Sequence, residues 1–272
     1  MTFQDTLKTV DVHGVETRFF EWGSGPDLLY LHGAATLEGF NSLMPLTEQF
    51  RVIAPYHPGF GPGQDGRGLM GSQDLIVHYA DFIDALNLEP PHVLGFSMGG
   101  WIAAELAVFF GSLLGAIALI APAGLRTNKI PCPDLIDIAP LKLPGYLTHN
   151  PAIAASYFPG GDNVANEDDF VEDRAREAAA QDSLEQPFGM GHPNMGRWLH
   201  RITNPVKLYW GAEDRMVPPA YAERWTAHLP QAELALIEGA GHLAMNEQPS
   251  RLFPDVENFF RAHSNDHTLM ET

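Results

Sequence analysis

The chain of 272 residues contains a single cysteine, Cys132, so no internal disulfide can brace it. Cys132 lies between two prolines, with no glycine-rich turn or partner histidine adjoining it, and is a weak candidate for a thiol nucleophile. Basic residues are scarce: 16 Lys and Arg stand against 34 Asp and Glu, a formal net charge of −18 at pH 7. Such a chain repels phosphate backbones and anionic lipid surfaces, which argues against a nucleic-acid or membrane partner. No apolar run approaches the roughly 20 residues needed to span a bilayer. The opening MTFQDTLKTVDVHG has no basic region leading into an apolar one, so no secretory signal is visible and a cytoplasmic location is expected. Repeats and low-complexity tracts are absent as well. The 12 histidines form no H-E-x-x-H pattern and have no cysteine pair to join, so neither a metal nor any other cofactor is expected.

With 45% hydrophobic and 18% charged residues, the chain has the composition of a globular protein, long enough for one large domain or two small ones. Short apolar runs recur along it: ETRFFEW from Glu16, DLLYLHG from Asp27, RVIAPY from Arg51, HVLGF from His92, AIALIAP from Ala116, VKLYWG from Val206 and ELALIEG from Glu233. Most are continuous rather than alternating, the pattern of strands covered on both faces. His13-Gly14 is expected to close a hairpin that pairs the first run with the residues before it. Between the runs lie helical patterns, such as SQDLIVHYADFIDALNL, where Leu75, Tyr79, Phe82, Ile83 and Leu86 recur on one face. Alternation of strand and helix predicts a mostly parallel α/β sheet. The stretch from about Leu125 to Arg201 breaks the alternation with clustered prolines and glycines, an acidic NEDDFVED, and two expected helices, around 168–180 and 194–202. Placed at the carboxyl edge of a parallel sheet, it is expected to act as a cap over a site.

One stretch carries chemistry. Gly95-Phe96-Ser97-Met98-Gly99 follows an apolar strand and precedes an alanine-rich helix, the strand-turn-helix setting in which a G-x-S-x-G turn holds a serine out for attack. With this motif the chain resembles the α/β-hydrolase-fold enzymes, over about Glu16 to His263. The resemblance implies an eight-stranded, mostly parallel sheet flanked by helices, a core of residues 1–124 and 202–263, and a helical cap at 125–201. Residues 264–272 are expected to be a disordered tail. It further implies a nucleophile, an acid and a histidine in that order. Asp214, in GAEDRMVP after VKLYWG, matches the acid position, with Glu213 as the rival, and His242, in GAGH after ELALIEG, matches the histidine. Backbone N–H groups of Met98 and of Ala34, which follows Leu31-His32-Gly33, are then expected to form the oxyanion hole.

In these roles His242 takes the proton of Ser97 and Asp214 holds the imidazole in the useful tautomer. His32 is expected to order the oxyanion loop. Many relatives carry Asp-x-Pro-Gly-x-Gly-x-Ser after the strand at Arg51; here it reads Tyr56-His57-Pro58-Gly59-Phe60-Gly61-Pro62-Gly63, so local hydrogen bonds must differ. His57 is expected to be a loop residue near the pocket mouth, and the glycine-rich GFGPGQDGRG lacks the Lys-Ser/Thr ending of a phosphate loop. The expected activity is a serine hydrolase acting on a small carboxylic ester through an acyl-enzyme. The alternatives are a carbon–carbon bond hydrolase of ring-cleavage products, a lactonase, a cofactor-free haloperoxidase, or a non-catalytic ligand-binding member of the fold. A carbon–carbon hydrolase of acidic substrates needs a cationic anchor, for which Arg126, Arg174, Arg176 and Arg197 are candidates. The partner expected is a small-molecule substrate; the sequence leaves the oligomeric state open.

Overall fold

The structure, a computed structural model, describes residues 7–36, 39–62, 69, 71–133, 138–229 and 231–264. Eight strands form one sheet: β1 (Leu7–Val12), β2 (Val15–Trp22), β3 (Asp27–Leu31), β4 (Arg51–Pro55), β5 (His92–Phe96), β6 (Ile117–Ile120), β7 (Val206–Gly211) and β8 (Glu233–Ile237). Their spatial order is β1-β2-β4-β3-β5-β6-β7-β8. The first two strands form the expected hairpin, with Val12 paired to Val15, and β2 runs antiparallel to β4. Every other neighbouring pair is parallel. The order swings outward from β3 in both directions, so the carboxyl ends of β3 and β5, which diverge to opposite flanks, leave a crevice between their loops.

The central strands β5 and β6 are buried at every position, which is why their sequences read as unbroken apolar runs. The apolar run of β8 has another cause. As an edge strand it leaves Leu234 and Leu236 exposed, at 37% and 48%. Helices cover the sheet: α1 (Gly71–Ala85), α2 (Met98–Phe110), and later α7 (Ala220–His228), α8 (Ala244–Glu247) and α9 (Pro249–Ala262). α1 buries Leu75, Tyr79, Phe82 and Ile83 as its spacing predicts, and Leu86 falls just past its end. α2 is apolar apart from Glu105 and is buried from Met98 to Val108, because the sheet lies on one side of it and other helices on the rest.

Between β6 and β7 the chain forms α3 (Leu143–Leu147), α4 (Pro151–Ala155), α5 (Glu167–Leu184) and the single turn α6 (Met195–Trp198), continued by a 3-10 turn at Leu199–Arg201. α5 begins where Asn166 offers its Oδ1 to the N–H of Asp168, at 3.0 Å, and three acidic residues fill its positively polarised first turn. The helix expected over 194–202 is thus two short turns, and α3 and α4, five residues each, were not anticipated because one turn and a half shows no periodicity. Residues 265–272 of the expected tail lie outside the described residues. Among the described residues, no helix is long and apolar enough to cross a membrane.

Candidate active site

A tight turn joins β5 directly to α2, with Ser97 between them. Ser97 there has φ 52° and ψ −113°, a conformation that costs a non-glycine residue energy and persists only when its surroundings enforce it. They do so through three bonds. Ser97 donates its N–H to the Ile120 carbonyl at 2.9 Å, and its own carbonyl accepts from Trp101 at 3.1 Å and Ala123 at 3.0 Å. The flanking glycines are required by contact. A Cβ at Gly95 would lie 2.6 Å from the Gly99 carbonyl oxygen, and one at Gly99 would lie 2.0 Å from that of Leu31. The helix therefore starts directly against β3, with the Ser97 hydroxyl at the sheet's carboxyl edge.

The turn after β7 supplies Asp214. Its Oδ1 accepts the N–H groups of Met216 and Val217, both at 2.8 Å, which locks the carboxylate in place and leaves Oδ2 for His242 Nδ1, 2.8 Å away. The other ring nitrogen, Nε2, stands 2.9 Å from Ser97 Oγ. Because the carboxylate can only accept, the proton sits on Nδ1 and Nε2 presents a lone pair to the serine hydroxyl. Ser97, Asp214 and His242 are all buried, so water competes little with these bonds. Glu213, the rival acid, turns elsewhere: its Oε2 accepts the N–H of Ala240 at 3.0 Å and steadies the loop that carries His242.

The loop after β3 passes over the serine. A Cβ placed at Gly33 would be 3.5 Å from Ser97 Cβ, so Ala34, the next residue, begins beside Ser97. Met98, at the first position of α2, is the other expected donor; among the described residues, neither of these N–H groups has a protein acceptor.

What fixes this loop is a pair of histidines. His32 Nε2 accepts the N–H of His57 at 2.9 Å, which places the His32 proton on Nδ1, where it donates to the Gly33 carbonyl at 2.7 Å. His57 Nε2 donates in turn to the His32 carbonyl at 2.8 Å, and its Nδ1 takes the hydroxyl of Tyr79. His57 is therefore not at a pocket mouth; it is fully buried beneath the loop, among the rings of His32, Phe60 and Tyr79. Burial disfavours the charged ring, holding the His57 pKa down at about 3 and that of His32 well below its ordinary value. Both are neutral fasteners rather than bases. The ordering role expected of His32 has a definite geometry, and His57 shares it.

Two carboxylates not anticipated from sequence join the β6–β7 segment to these loops. Glu247, in α8, accepts the N–H of Gly241 at 2.6 Å, next to His242, and with the same carboxylate those of His149 at 3.0 Å and Asn150 at 2.8 Å. Glu177, in α5, does the equivalent on the other side of the site, at Thr36 and Gly61. Of the four candidate arginines, Arg126 and Arg197 are exposed, Arg174 pairs with Glu177 at 2.9 Å and Arg176 with Asp173 at 2.6 Å. Among the described residues, no group of three or more histidines, cysteines or acids is gathered as a metal site would require.

Comparison with known proteins identifies the family and the fold. The sequence profile of the alpha/beta hydrolase family matches residues 28–255. An uncharacterized protein of Mycobacterium tuberculosis is 26% identical over 282 aligned residues, covering 93% of this chain and 81% of that one. The 2-hydroxy-6-oxo-2,4-heptadienoate hydrolase of Pseudomonas putida is 24% identical, covering 92% of this chain and 94% of that one. Among solved structures, a bacterial membrane phospholipase A is similar with a TM-score of 0.79 at 24% identity, over 94% of this chain and 86% of that one, a likeness of fold.

Proposed function

The chain belongs to the alpha/beta hydrolase family, and from that premise we propose that it is a serine hydrolase cleaving a small carboxylic ester. The observation that carries this reading is the unbroken line from Asp214 Oδ2 through His242 to Ser97 Oγ, at 2.8 and 2.9 Å, ending on a serine held at positive φ. In the first step Ser97 Oγ attacks the acyl carbon while its proton passes to His242 Nε2. The carbonyl oxygen becomes an oxyanion, received by the N–H groups of Met98 and Ala34. His242 returns the proton to the departing alkoxide, leaving an acyl-serine and an alcohol. A water molecule then gives one proton to His242 and its oxygen to the acyl carbon; as the acyl C–Oγ bond breaks, His242 returns that proton to Ser97 Oγ and the acid departs. Asp214 stays ionised throughout and steadies the imidazolium.

The β6–β7 segment is read here as the cap. It is tied to the histidine loop by Glu247 and to the oxyanion loop by Glu177, and so closes the site from above.

A second reading, carbon–carbon bond hydrolysis, is favoured by the similarity to the Pseudomonas putida hydrolase. A dienoate substrate carries a carboxylate and needs a cation free to meet it. The two half-buried arginines beside the site are already paired with Glu177 and Asp173, which supports the ester reading over this one. Turnover of short-chain p-nitrophenyl esters by the wild type, and its loss in Ser97→Ala, is the test; activity that persists unchanged in the variant overturns the serine mechanism. The ratio of kcat/KM for esters to that for vinylogous 1,5-diketones separates the two readings.

A further inference from the structure

α5 is polar over nearly its whole surface, yet one of its two buried residues is a glutamate. Glu177 is 2% exposed, and a carboxylate so placed is stable only if its lone pairs are taken up. They are. Oε1 accepts the hydroxyl of Thr36 at 2.6 Å and the N–H of Gly61 at 3.4 Å; Oε2 accepts the N–H of Thr36 at 3.3 Å and pairs with Arg174 at 2.9 Å. Two neighbours in the helix complete the clasp. Arg174 Nη2 donates to the Thr36 hydroxyl at 3.2 Å, and Arg176 Nη2 donates to the Gly61 carbonyl at 2.6 Å.

Both captured residues belong to the machinery around Ser97. Thr36 lies two residues after Ala34. Gly61 ends the turn that begins at His57, the residue bonded to His32 from below. The loop after β3 is therefore gripped at one end by the histidine pair and at the other by Glu177, with Ala34 between the two grips. Only two peptide units separate the Ala34 N–H from the carboxylate's hold on Thr36.

We propose that Glu177 is a positioning residue for the oxyanion loop: through Thr36 it sets where the Ala34 N–H points, so that α5 governs the rate of chemistry at Ser97. The proposal rests on the serine-hydrolase reading above and deepens it. Glu177→Gln is nearly isosteric but replaces one acceptor oxygen by an NH2 group. An amide NH2 could donate to the Thr36 hydroxyl, but each carboxylate oxygen also faces an N–H donor, Gly61 at Oε1 and Thr36 and Arg174 at Oε2, so either orientation of the amide sets donor against donor. Thr36→Val removes the hydroxyl and leaves the backbone, whereas Thr36→Ser keeps the hydroxyl.

The experiment measures kcat and KM for p-nitrophenyl butyrate together with inhibition by an alkylboronic acid, which forms a tetrahedral adduct on a serine. Loss of a whole oxyanion donor costs about 100-fold to 1,000-fold in kcat, so a donor misaimed by Glu177→Gln is expected to cost roughly 10-fold to 100-fold, with KM changed less than about 3-fold. Boronate affinity falls by a similar factor. Thr36→Val shows the same pattern, Thr36→Ser restores most of the activity, and the Glu177→Gln/Thr36→Val double variant is no worse than the poorer single one. Wild-type kcat and boronate affinity in folded Glu177→Gln overturn the proposal, as does a raised KM at unchanged kcat. Should Glu177→Gln not fold, the contrast between Thr36→Val and Thr36→Ser decides, and equal activity in those two overturns it. Absence of Ser97-dependent turnover in the wild type refutes the underlying serine-hydrolase reading instead, a result distinct from every one of these.

Discussion

Replacing His92 by asparagine should flatten the acid side of the stability curve by one proton. His92 opens β5 and is 4% exposed, stacked on Phe260 with ring centroids 4.9 Å apart. Its Nδ1 accepts the N–H of Ala116 at 3.0 Å, a donor fixed in the backbone that cannot turn away, so a proton on Nδ1 has nowhere to go. Burial, aided by nearby His263, lowers its pKa to about 4. The unfolded chain protonates this histidine near its ordinary value of about 6.5. Because the folded pKa is the lower one, the unfolded state binds more protons between those values. Stability is therefore full above pH 6.5 and falls as pH drops toward 4, by about 1.4 kcal/mol per pH unit. From pH 7 to pH 5 the loss comes to about 2 kcal/mol for this one residue.

His32, His57 and His78 are buried and shifted in the same direction, His57 to about 3 and His78 to about 4, so they too withdraw stability as the pH falls. Other groups act on the same curve. Asp27, whose pKa burial raises, works in the opposite direction, and approach to the isoelectric point relieves self-repulsion. Comparison with His92→Asn cancels those terms. Asparagine Oδ1 can still accept from Ala116 but does not titrate. Urea unfolding at pH 7, 6 and 5 at constant ionic strength should show the wild type losing about 2 kcal/mol more than the variant. Parallel curves for the two proteins would mean that His92 titrates alike folded and unfolded, and would refute the reasoning.

The remaining predictions concern the site. Gly99→Ala puts a methyl 2.0 Å from the Leu31 carbonyl oxygen and 2.5 Å from that of His32, so it should cost about 3 kcal/mol or more and lower Tm by roughly 10 °C. An unchanged melting temperature would contradict the close approach of α2 to β3. Asp214→Asn keeps an oxygen for the N–H groups of Met216 and Val217 but turns an NH2 toward His242, forcing the proton to Nε2. Stability should stay near wild type while kcat for p-nitrophenyl butyrate falls about 10⁴-fold; a loss under 10-fold would show that Asp214 does not set the tautomer.

Legibility in the sequence followed the range of the interactions. β5 and β6 could be read because burial on both faces leaves no polar position to interrupt them. β8 could be read as a strand but not as an edge, since Leu234 and Leu236 look the same in sequence whether or not a helix covers them. Ser97, Asp214 and His242 could be singled out because each stands just past an apolar run, beside glycines that the turn requires. Their meeting at 2.8 and 2.9 Å is the part that only the fold supplies.

The residues that hold the site in place were hidden for the same reason. Glu177 meets Thr36 and Gly61 across 141 and 116 residues of chain, and its own helix shows no apolar stripe pointing to a buried side. Nothing in the sequence marks the loop residue His57 as buried, because its partners, His32 and Tyr79, stand 25 and 22 residues away on separate elements. In each case the side chain answers a polar group of the loop after β3 that burial would otherwise leave unsatisfied, and no local pattern encodes that demand. The turn at Ser97 must be written into adjacent residues, since a side chain at Gly95 or Gly99 would meet backbone on either side of it. The loop after β3 carries no such constraint of its own, so its geometry is borrowed from a buried histidine pair and from Glu177 in α5. Substitutions at those distant supports should therefore alter catalysis while the G-x-S-x-G motif stays intact.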